Sequence, residues 1–176
     1  MSKIKPSVTE LISLLDKPAL MHWANKIGLN GIKLQDYKNK VLSSGTSKHK
    51  QIENYLKDNT PFENKILGDN FIEFFKDKEI INYENKIETE HYQGRYDIEF
   101  IWNDEIYIAD FKSNCKRIYL EHKLQLTAYK MGGKCHKTMV ISLPDFNIFP
   151  INIDYELHNK ILINLSEIYY IKQMLF

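Results

Sequence analysis

One stretch of the sequence decides the fold, and over residues 94–112 it reads GRYDIEFIWNDEIYIADFK. Apolar and polar side chains alternate on both sides of Asn103 and Asp104, which is typical of two half-buried strands. Asparagine and aspartate both tolerate the positive φ angles that a two-residue hairpin turn requires. The stretch therefore predicts a β-hairpin whose turn is Asn103-Asp104.

The two-residue turn determines which residues face each other across the hairpin. Trp102 faces Glu105, and counting outward brings Asp97 opposite Asp110. Opposed side chains of an antiparallel pair point to the same side. One side is almost wholly apolar and is predicted to be the core face; it carries Tyr96, Ile98, Phe100, Trp102, Tyr107, Ala109 and Phe111. A turn longer or shorter by one residue would break this register.

The other side of the hairpin collects charged residues at its open end. It carries Asp97, Asp110 and Lys112, and Glu99 is a further candidate for the same group. Two carboxylates separated by about 5 Å between Cβ atoms repel each other unless a positive charge lies between them. A magnesium or manganese ion suits such oxygen ligands, and a lysine beside it can orient an attacking water. The alternative that stays open is a solvent-exposed face on which Lys112 forms a cross-strand salt bridge.

Patterns on either side of the hairpin predict a mixed α/β domain. Helices are predicted over residues 7–15, 18–28, 45–59, 64–76, 119–131 and 155–174, and strands over 79–88, 94–102, 105–112, 138–143 and 147–153. Residues 31–44 carry no clear pattern. We expect residues 1–176 to form a single domain, with a mainly helical part over 1–77 and the sheet and C-terminal helix over 78–176.

Composition restricts the class of protein. The chain has 176 residues, of which 43% are hydrophobic and 27% charged, as in soluble globular proteins. No apolar run approaches the roughly 18 residues of a membrane span, and no apolar segment of a signal peptide follows the first residues. We therefore expect a protein of the bacterial or phage-infected host cytoplasm. Two cysteines, Cys115 and Cys135, are too few for an iron–sulfur cluster, which takes about four.

Local charge is less balanced than the net charge of +1. Seven basic residues and one acidic residue lie between Lys112 and Lys137. Such a stripe can hold the phosphates of a nucleic acid. A solvated helix face explains it equally well, so charge alone decides nothing.

Three short motifs follow one another in this part of the chain: Gly94-Arg95-Tyr96-Asp97, Asp110-Phe111-Lys112-Ser113 and Gln125-Leu126-Thr127-Ala128-Tyr129. In this order they resemble the G-x-x-D, D-x-K and Q-x-x-x-Y series of RecB-like nucleases in the PD-(D/E)XK superfamily. Upstream, residues 45–53 read GTSKHKQIE and resemble the helix that supplies the active-site histidine of that family. Residues 6–9 and the region of Trp23 are similar to segments of phage exonucleases and of the mitochondrial genome-maintenance exonuclease. The resemblance covers residues 6–143.

The resemblance implies a site for Mg²⁺ or Mn²⁺. Asp97 and Asp110 would bind the ion, His49 would be a further ligand, and the backbone carbonyl of Phe111 would complete the protein's share. The sequence departs from the family pattern at Tyr96, which stands where many members have proline. It also lacks the cysteines of the iron–sulfur members.

The resemblance also implies the catalytic group. Lys112 would be the catalytic lysine, acting beside Asp97 and Asp110. Gln125 and Tyr129 lie four residues apart, hence on one helix face, and would arrange the site and its DNA contacts. Two acids stay open at this point: Glu53 follows His49 by one helical turn, and Glu84 lies on the first strand. Each is either a surface carboxylate or part of the site.

These expectations add up to a fold and a function. The fold would be the three-layer PD-(D/E)XK core, a mixed central sheet flanked by helices with an N-terminal helical part. The function would be metal-dependent hydrolysis of DNA, by an exonuclease acting on single strands or duplex ends. The alternatives are a structure-specific or restriction-type endonuclease, a non-catalytic DNA-binding or interaction module on a nuclease fold, and a plain structural hairpin. In the last case His49 and Gln125 should lie far from Asp110.

Overall fold

The predicted hairpin lies at the centre of a five-stranded sheet in the computed structural model, which describes residues 5–15, 18–133, 135, 137–149 and 151–175. The strands are β1 (Glu79–Glu88), β2 (Gln93–Trp102), β3 (Glu105–Ser113), β4 (Lys137–Leu143) and β5 (Asn147–Phe149). They lie side by side in chain order, antiparallel except for the parallel pair β3 and β4. The fifth strand is shorter than its predicted range of 147–153. A mixed sheet of this kind belongs to the α/β class.

The hairpin turn and the adjoining register are confirmed. Asn103 and Asp104 both have positive φ angles, 51° and 62°. Trp102 pairs with Glu105, and the ladder continues in the predicted register to the pair of Ile98 and Ala109. Local turn chemistry therefore determines this half of the hairpin.

The predicted register is wrong at the open end of the hairpin. The ladder between β2 and β3 stops at Ile98, so Asp97 and Asp110 are not a facing pair. On the other edge of β2 the pairing with β1 skips Glu84 and Asp97, and Glu84 has a positive φ of 48°. Strand alternation fails here, and Tyr96, predicted to share the face of Ile98, packs in the opposite cluster.

Six helices accompany the sheet in the described residues. They are α1 (Val8–Ser13), α2 (Pro18–Leu29), α3 (Leu34–Asp58), α4 (Lys65–Phe75), α5 (Leu120–Gly132) and α6 (Tyr155–Leu175). The capping box predicted at the first helix is present, since Ser7 Oγ accepts from the N–H of Glu10 while the Glu10 carboxylate accepts from the N–H of Ser7. The third helix begins at Leu34 rather than at Gly45, so the glycine lies inside the helix.

Helices cover both faces of the sheet. One apolar cluster joins the sheet to α1, α5 and α6; its buried members include Leu11, Ile108, Leu124, Val140 and Leu162. The other joins the sheet to α3 and α4; its buried members include Ile52, Leu67, Phe71, Phe100 and Ile141. Residues that alternate along β3 and β4 belong to different clusters, as expected of strands buried on both faces.

The crossover between β3 and β4 positions the site. Parallel neighbours cannot be joined by a tight turn, so the chain crosses one face of the sheet as α5. Asp110 and Ile108, two residues apart on β3, point to that face. The crossover helix therefore lies over the strand that carries Asp110. No helix among the described residues is long and apolar enough to cross a membrane.

Candidate functional site

Asp110 and Lys112 form a buried ion pair at the end of β3. Lys112 Nζ lies 2.5 Å from Asp110 Oδ2. The Asp110 side chain is 3% exposed and that of Lys112 is 27% exposed. This contradicts the alternative of a solvent-exposed salt-bridged face, because the Asp110 carboxylate is buried. Removing a charge from water costs free energy that an ion pair on the surface does not lose.

The crossover helix α5 places Gln125 and Tyr129 above this pair. Lys112 Nζ donates to Gln125 Oε1 at 2.9 Å, and Gln125 Nε2 donates to the Tyr129 hydroxyl at 2.6 Å. The hydroxyl in turn donates to Asp110 Oδ1 at 3.3 Å. Spacing by four residues puts both side chains on one helix face, as predicted. The result is a closed ring of contacts that fixes the lysine ammonium and the carboxylate.

Asp97 contacts Phe111 on β3 and His49 on α3. Its Oδ2 accepts from the backbone N–H of Phe111 at 2.5 Å, and its Oδ1 lies 3.5 Å from His49 Nδ1. The His49 ring meets the Phe111 ring edge-on, with centroids 5.8 Å apart. The long third helix thus brings His49 to the site, where the sequence placed it. The Phe111 side chain is part of the core, and the metal role of its carbonyl stays a prediction.

One oxygen at the centre of the site has the Lys112 ammonium as its partner. Asp110 Oδ2 is buried and lies 2.5 Å from Lys112 Nζ, and no other donor among the described residues reaches it. The negative charge of this carboxylate is therefore balanced by Lys112. A cation that enters the site would share the Asp110 carboxylate with Lys112.

Burial and nearby charges shift the pKa values of Asp110, Lys112 and His49. Burial raises the pKa of Asp110 to about 6, although the Lys112 ammonium opposes the shift. Burial lowers the pKa of Lys112, but the attraction of the Asp110 carboxylate outweighs it and the net shift is upward. Burial likewise lowers the pKa of His49, and the hydrogen bond and charge of Asp97 raise it further than burial lowers it. Lys112 is therefore a charged donor at neutral pH.

Glu84, which the sequence left open, lies in the site. Ligand atoms of His49, Glu84 and Asp97 all lie within 4.8 Å of one another. Glu84 Oε2 also lies 3.7 Å from Arg95 Nη1. Burial raises the pKa of Glu84, and the nearby Asp97 carboxylate adds to the shift. Asp110, predicted as a ligand, is not a member of this three-residue group and approaches the site from β3.

Two other acids considered as candidates have different surroundings. Glu53 forms an ion pair with Lys50, with 3.0 Å between Oε2 and Nζ. Glu99 is buried, and its Oε2 accepts from Asn82 and from the Tyr96 hydroxyl, each at 2.7 Å. Glu99 has partners of its own. Glu53 lines a small pocket together with His49, Glu84 and Asp97, and its charge adds to the upward shift of the Glu84 pKa, so it lies beside the three-residue group without being a member of it.

The donor set fits a small divalent cation. Glu84 and Asp97 supply the hard oxygen ligands that Mg²⁺ and Mn²⁺ prefer, and His49 supplies an imidazole nitrogen that Mn²⁺ also accepts. Asp110 lines the cleft beside Asp97 and His49 and is a further carboxylate within the site. The close approach of like charges at Asp97 and Glu84 favours a bound positive charge.

The site opens to solvent through a cleft of about 390 Å³, which we call the first cleft. Its lining includes His49, Asp97, Asp110, Lys112, Gln125 and Tyr129. Lys86, Arg95 and two polar residues at the start of α1, Ser7 and Thr9, line it as well. All five predicted catalytic residues therefore line one cleft. This arrangement counts against a plain structural hairpin, because His49 and Gln125 lie next to the acidic group rather than far from it.

No protein-family model matches the chain. No curated protein matches it either. Among solved structures, one described as the crystal structure of SSO0001 is similar over 98% of this chain and 80% of that chain, at 17% identity and a TM-score of 0.46. A similarity of this size identifies no activity.

Proposed function

We propose that this protein is a metal-dependent DNA nuclease with a PD-(D/E)XK core, and that it acts as an exonuclease on single strands or duplex ends in the cytoplasm of a bacterium or of a phage-infected host. The observation that supports it best is the convergence of Asp97, Asp110 and Lys112 with His49 in one open cleft. Neither an exposed salt bridge nor ordinary core packing accounts for two carboxylates, a lysine and a histidine that line one solvent-open cleft.

The proposed cofactor is Mg²⁺ or Mn²⁺. Asp97 and Asp110 would hold it, with His49 and Glu84 as further ligands and the Phe111 carbonyl as the remaining candidate. When bound, such an ion supplies Lewis-acid stabilisation of the negative charge that builds up on a phosphate. The backbone N–H of Phe111 fixes the Asp97 carboxylate in place before any ion arrives.

Lys112 is the proposed catalytic residue that touches the reacting atoms. Its ammonium stays charged because the Asp110 carboxylate raises its pKa, so it acts as a hydrogen-bond donor and not as a general base. It lines the first cleft, where it would orient the attacking water and stabilise the phosphate oxygens in the transition state.

Gln125 and Tyr129 are proposed as positioning residues. Gln125 accepts one hydrogen bond from Lys112 and donates another to Tyr129, which reaches Asp110. The ring holds the lysine and the acid at a fixed separation, and fixed geometry is worth a large part of the barrier in such reactions. We expect products with 5′-phosphates, as the family resemblance implies.

The cleft suits a phosphodiester backbone. Its lining includes two cations, Lys86 and Arg95, of the kind that contact backbone phosphates. Ser7 and Thr9 add hydroxyl groups of the kind that hydrogen-bond phosphate oxygens.

The test is degradation of end-labelled DNA, single-stranded and duplex, linear and circular, with Mg²⁺, Mn²⁺ or EDTA. Wild type is compared with Lys112→Ala, and Lys172→Ala on the exposed end of α6 serves as the matched control. We expect metal-dependent loss of linear DNA that survives in the control and falls at least about a hundredfold in Lys112→Ala.

Cleavage of circles as well would assign the endonuclease instead. No cleavage with either metal, with DNA binding retained, would leave a binding module on this fold and refute the enzyme.

A further inference from the structure

A second cleft, of about 340 Å³, lies on the other side of Lys112. Its lining includes Lys116, Arg117, Tyr119 and His122. Lys112 lines both clefts, so the two meet at the proposed catalytic lysine. A chain of nucleotides that passes Lys112 in the first cleft therefore has a direct continuation into the second.

The second cleft contains an exposed aromatic ring flanked by a cation. Tyr119 is 44% exposed, and the Arg117 guanidinium lies 4.6 Å from the centroid of its ring. The His122 ring meets Tyr119 edge-on, with centroids 5.5 Å apart, and supports the tyrosine from one side. Aromatic rings of this kind, with guanidinium groups beside them, are the surfaces on which unpaired bases stack.

The charges of the second cleft are unbalanced. Lys116 and Arg117 are exposed, and no ion pair joins either of them to an acid within the described parts of the chain. No aspartate or glutamate is found among the described residues that line the cleft. Exposed cations without acidic partners are what a phosphate backbone requires, since each contact releases a counterion.

The loop that carries these side chains is fixed to the sheet. Asn114 has a positive φ of 52°, and its N–H donates to the carbonyl of Leu143 at 2.9 Å. Ser142 Oγ donates to the carbonyl of Cys115 at 3.3 Å. Both anchors lie on β4, so the second cleft is formed before a ligand arrives. Preorganisation lowers the entropic cost of binding.

We propose that the second cleft binds an unpaired nucleotide of single-stranded DNA next to the scissile bond, with its base stacked on Tyr119 and its phosphate held by Lys116 and Arg117. The inference rests on the proposed function, since it takes Lys112 as the point at which the strand is cut. It assigns an unpaired strand, rather than an intact duplex, to this side of the site.

The test measures the affinity for a fluorescein-labelled oligothymidylate of about ten nucleotides, within the range of known single-strand sites. Fluorescence anisotropy is recorded with Ca²⁺ in place of Mg²⁺, for wild type, Tyr119→Ala and Tyr119→Phe. Tyr170→Ala on α6 is the matched control. We expect Tyr119→Ala to weaken binding about tenfold or more, and Tyr119→Phe and the control to bind within about twofold of wild type. Lys116→Ala and Arg117→Ala should each reduce the salt slope by about 0.7.

A second readout reports geometry. An oligonucleotide with 5-iododeoxyuridine should form a photochemical cross-link to Tyr119, identified by mass spectrometry. Wild-type affinity in Tyr119→Ala, absence of single-strand binding in wild type, or an equal loss of affinity for covalently closed duplex would each overturn the subsite. If Lys112-dependent cleavage persists in that case, only the subsite fails. If binding depends on Tyr119 but wild type cleaves no DNA, the subsite stands and the nuclease proposal fails.

Discussion

The backbone N–H of Phe111 donates a 2.5 Å hydrogen bond to the side-chain carboxylate of Asp97, so one strand of the hairpin holds the acid of the other. This contact replaces the facing pair of acids that regular pairing would create. Because of this contact, Asp97 has two roles that can be removed separately: it accepts the hydrogen bond of Phe111, and it carries a negative charge. An asparagine at position 97 would keep an oxygen for the Phe111 N–H but lose the negative charge, whereas an alanine would lose both.

We therefore expect Asp97→Asn to retain stability and lose metal affinity. Asp97→Ala should lose metal affinity and also about 1–3 kcal/mol of unfolding free energy, because it leaves the N–H of Phe111 without its acceptor. Chemical denaturation measures the stability, and calorimetric titration with Mn²⁺ measures the affinity. Equal stability of the two variants would show that the Phe111 contact contributes nothing to the fold.

Gln125 links Lys112 to Tyr129, and this linkage predicts non-additive kinetics. Gln125→Leu should lower kcat roughly tenfold to a hundredfold with little change in KM, since the ammonium loses its orienting acceptor. Tyr129→Phe, which removes only the hydroxyl, should have a smaller effect in the same direction. The assay is cleavage of labelled DNA over a range of substrate concentrations.

The decisive comparison for this ring is the double variant. If Gln125 acts through Lys112, adding Gln125→Leu to Lys112→Ala should slow cleavage no further than Lys112→Ala alone. Independent, multiplicative losses would mean that Gln125 contacts the DNA directly and does not position the lysine.

The sequence predicts the parts of the fold that depend on local chemistry. The turn at Asn103 and Asp104, the cap at Ser7 and the spacing of Gln125 and Tyr129 all follow from preferences within a few residues. These features were therefore predictable, and so was the residue set that gathers around them.

The remaining features depend on contacts between distant segments. Regular alternation does not predict that the β2–β3 ladder ends before Asp97, where the neighbouring β1 residue Glu84 has a positive φ. The sequence pattern predicts that the third helix begins at Gly45. In the structure the helix continues through it, and an added Cβ there would meet Ser113 Oγ at 3.5 Å, an ordinary contact. Helix propensity is a weak guide when tertiary packing decides.

Glu84 and Glu53 give a matched test of the metal group. Both are acids left open by the sequence. Only Glu84 offers a ligand atom within 4.8 Å of those of His49 and Asp97, while Glu53 lies beside them and pairs with Lys50. We expect Glu84→Gln to weaken Mn²⁺ binding about tenfold or more and Glu53→Gln to leave it within about twofold of wild type. Titration calorimetry with Mn²⁺ provides the measurement. Similar losses in both variants would indicate a general charge effect and remove Glu84 from the ligand set.

Gly132 lets α5 approach β1, and this contact predicts a stability difference between two glycines. A Cβ at Gly132 would lie 2.8 Å from Cβ of Ile87, a buried core residue, whereas a Cβ at Gly28 would meet nothing within 4 Å. Both glycines lie in the last turn of a helix, so alanine gains no more than about 0.5–1 kcal/mol of helix propensity at either position. At Gly132 the overpacking, typically about 1–3 kcal/mol, should outweigh that gain.

Gly28→Ala should therefore stabilise the protein and Gly132→Ala should destabilise it, as measured by urea denaturation. Ile87→Ala should cost less in the Gly132→Ala background than in wild type, because it removes Cγ1 and Cδ1, two of the Ile87 atoms that the new methyl group would meet. Since α5 also carries Gln125 and Tyr129, Gly132→Ala should lower the cleavage rate of the folded protein as well, by moving the helix that orients Lys112. A Gly132→Ala variant as stable as Gly28→Ala would mean that α5 can shift away from β1 without cost, and the rate should then be the more sensitive readout of its position.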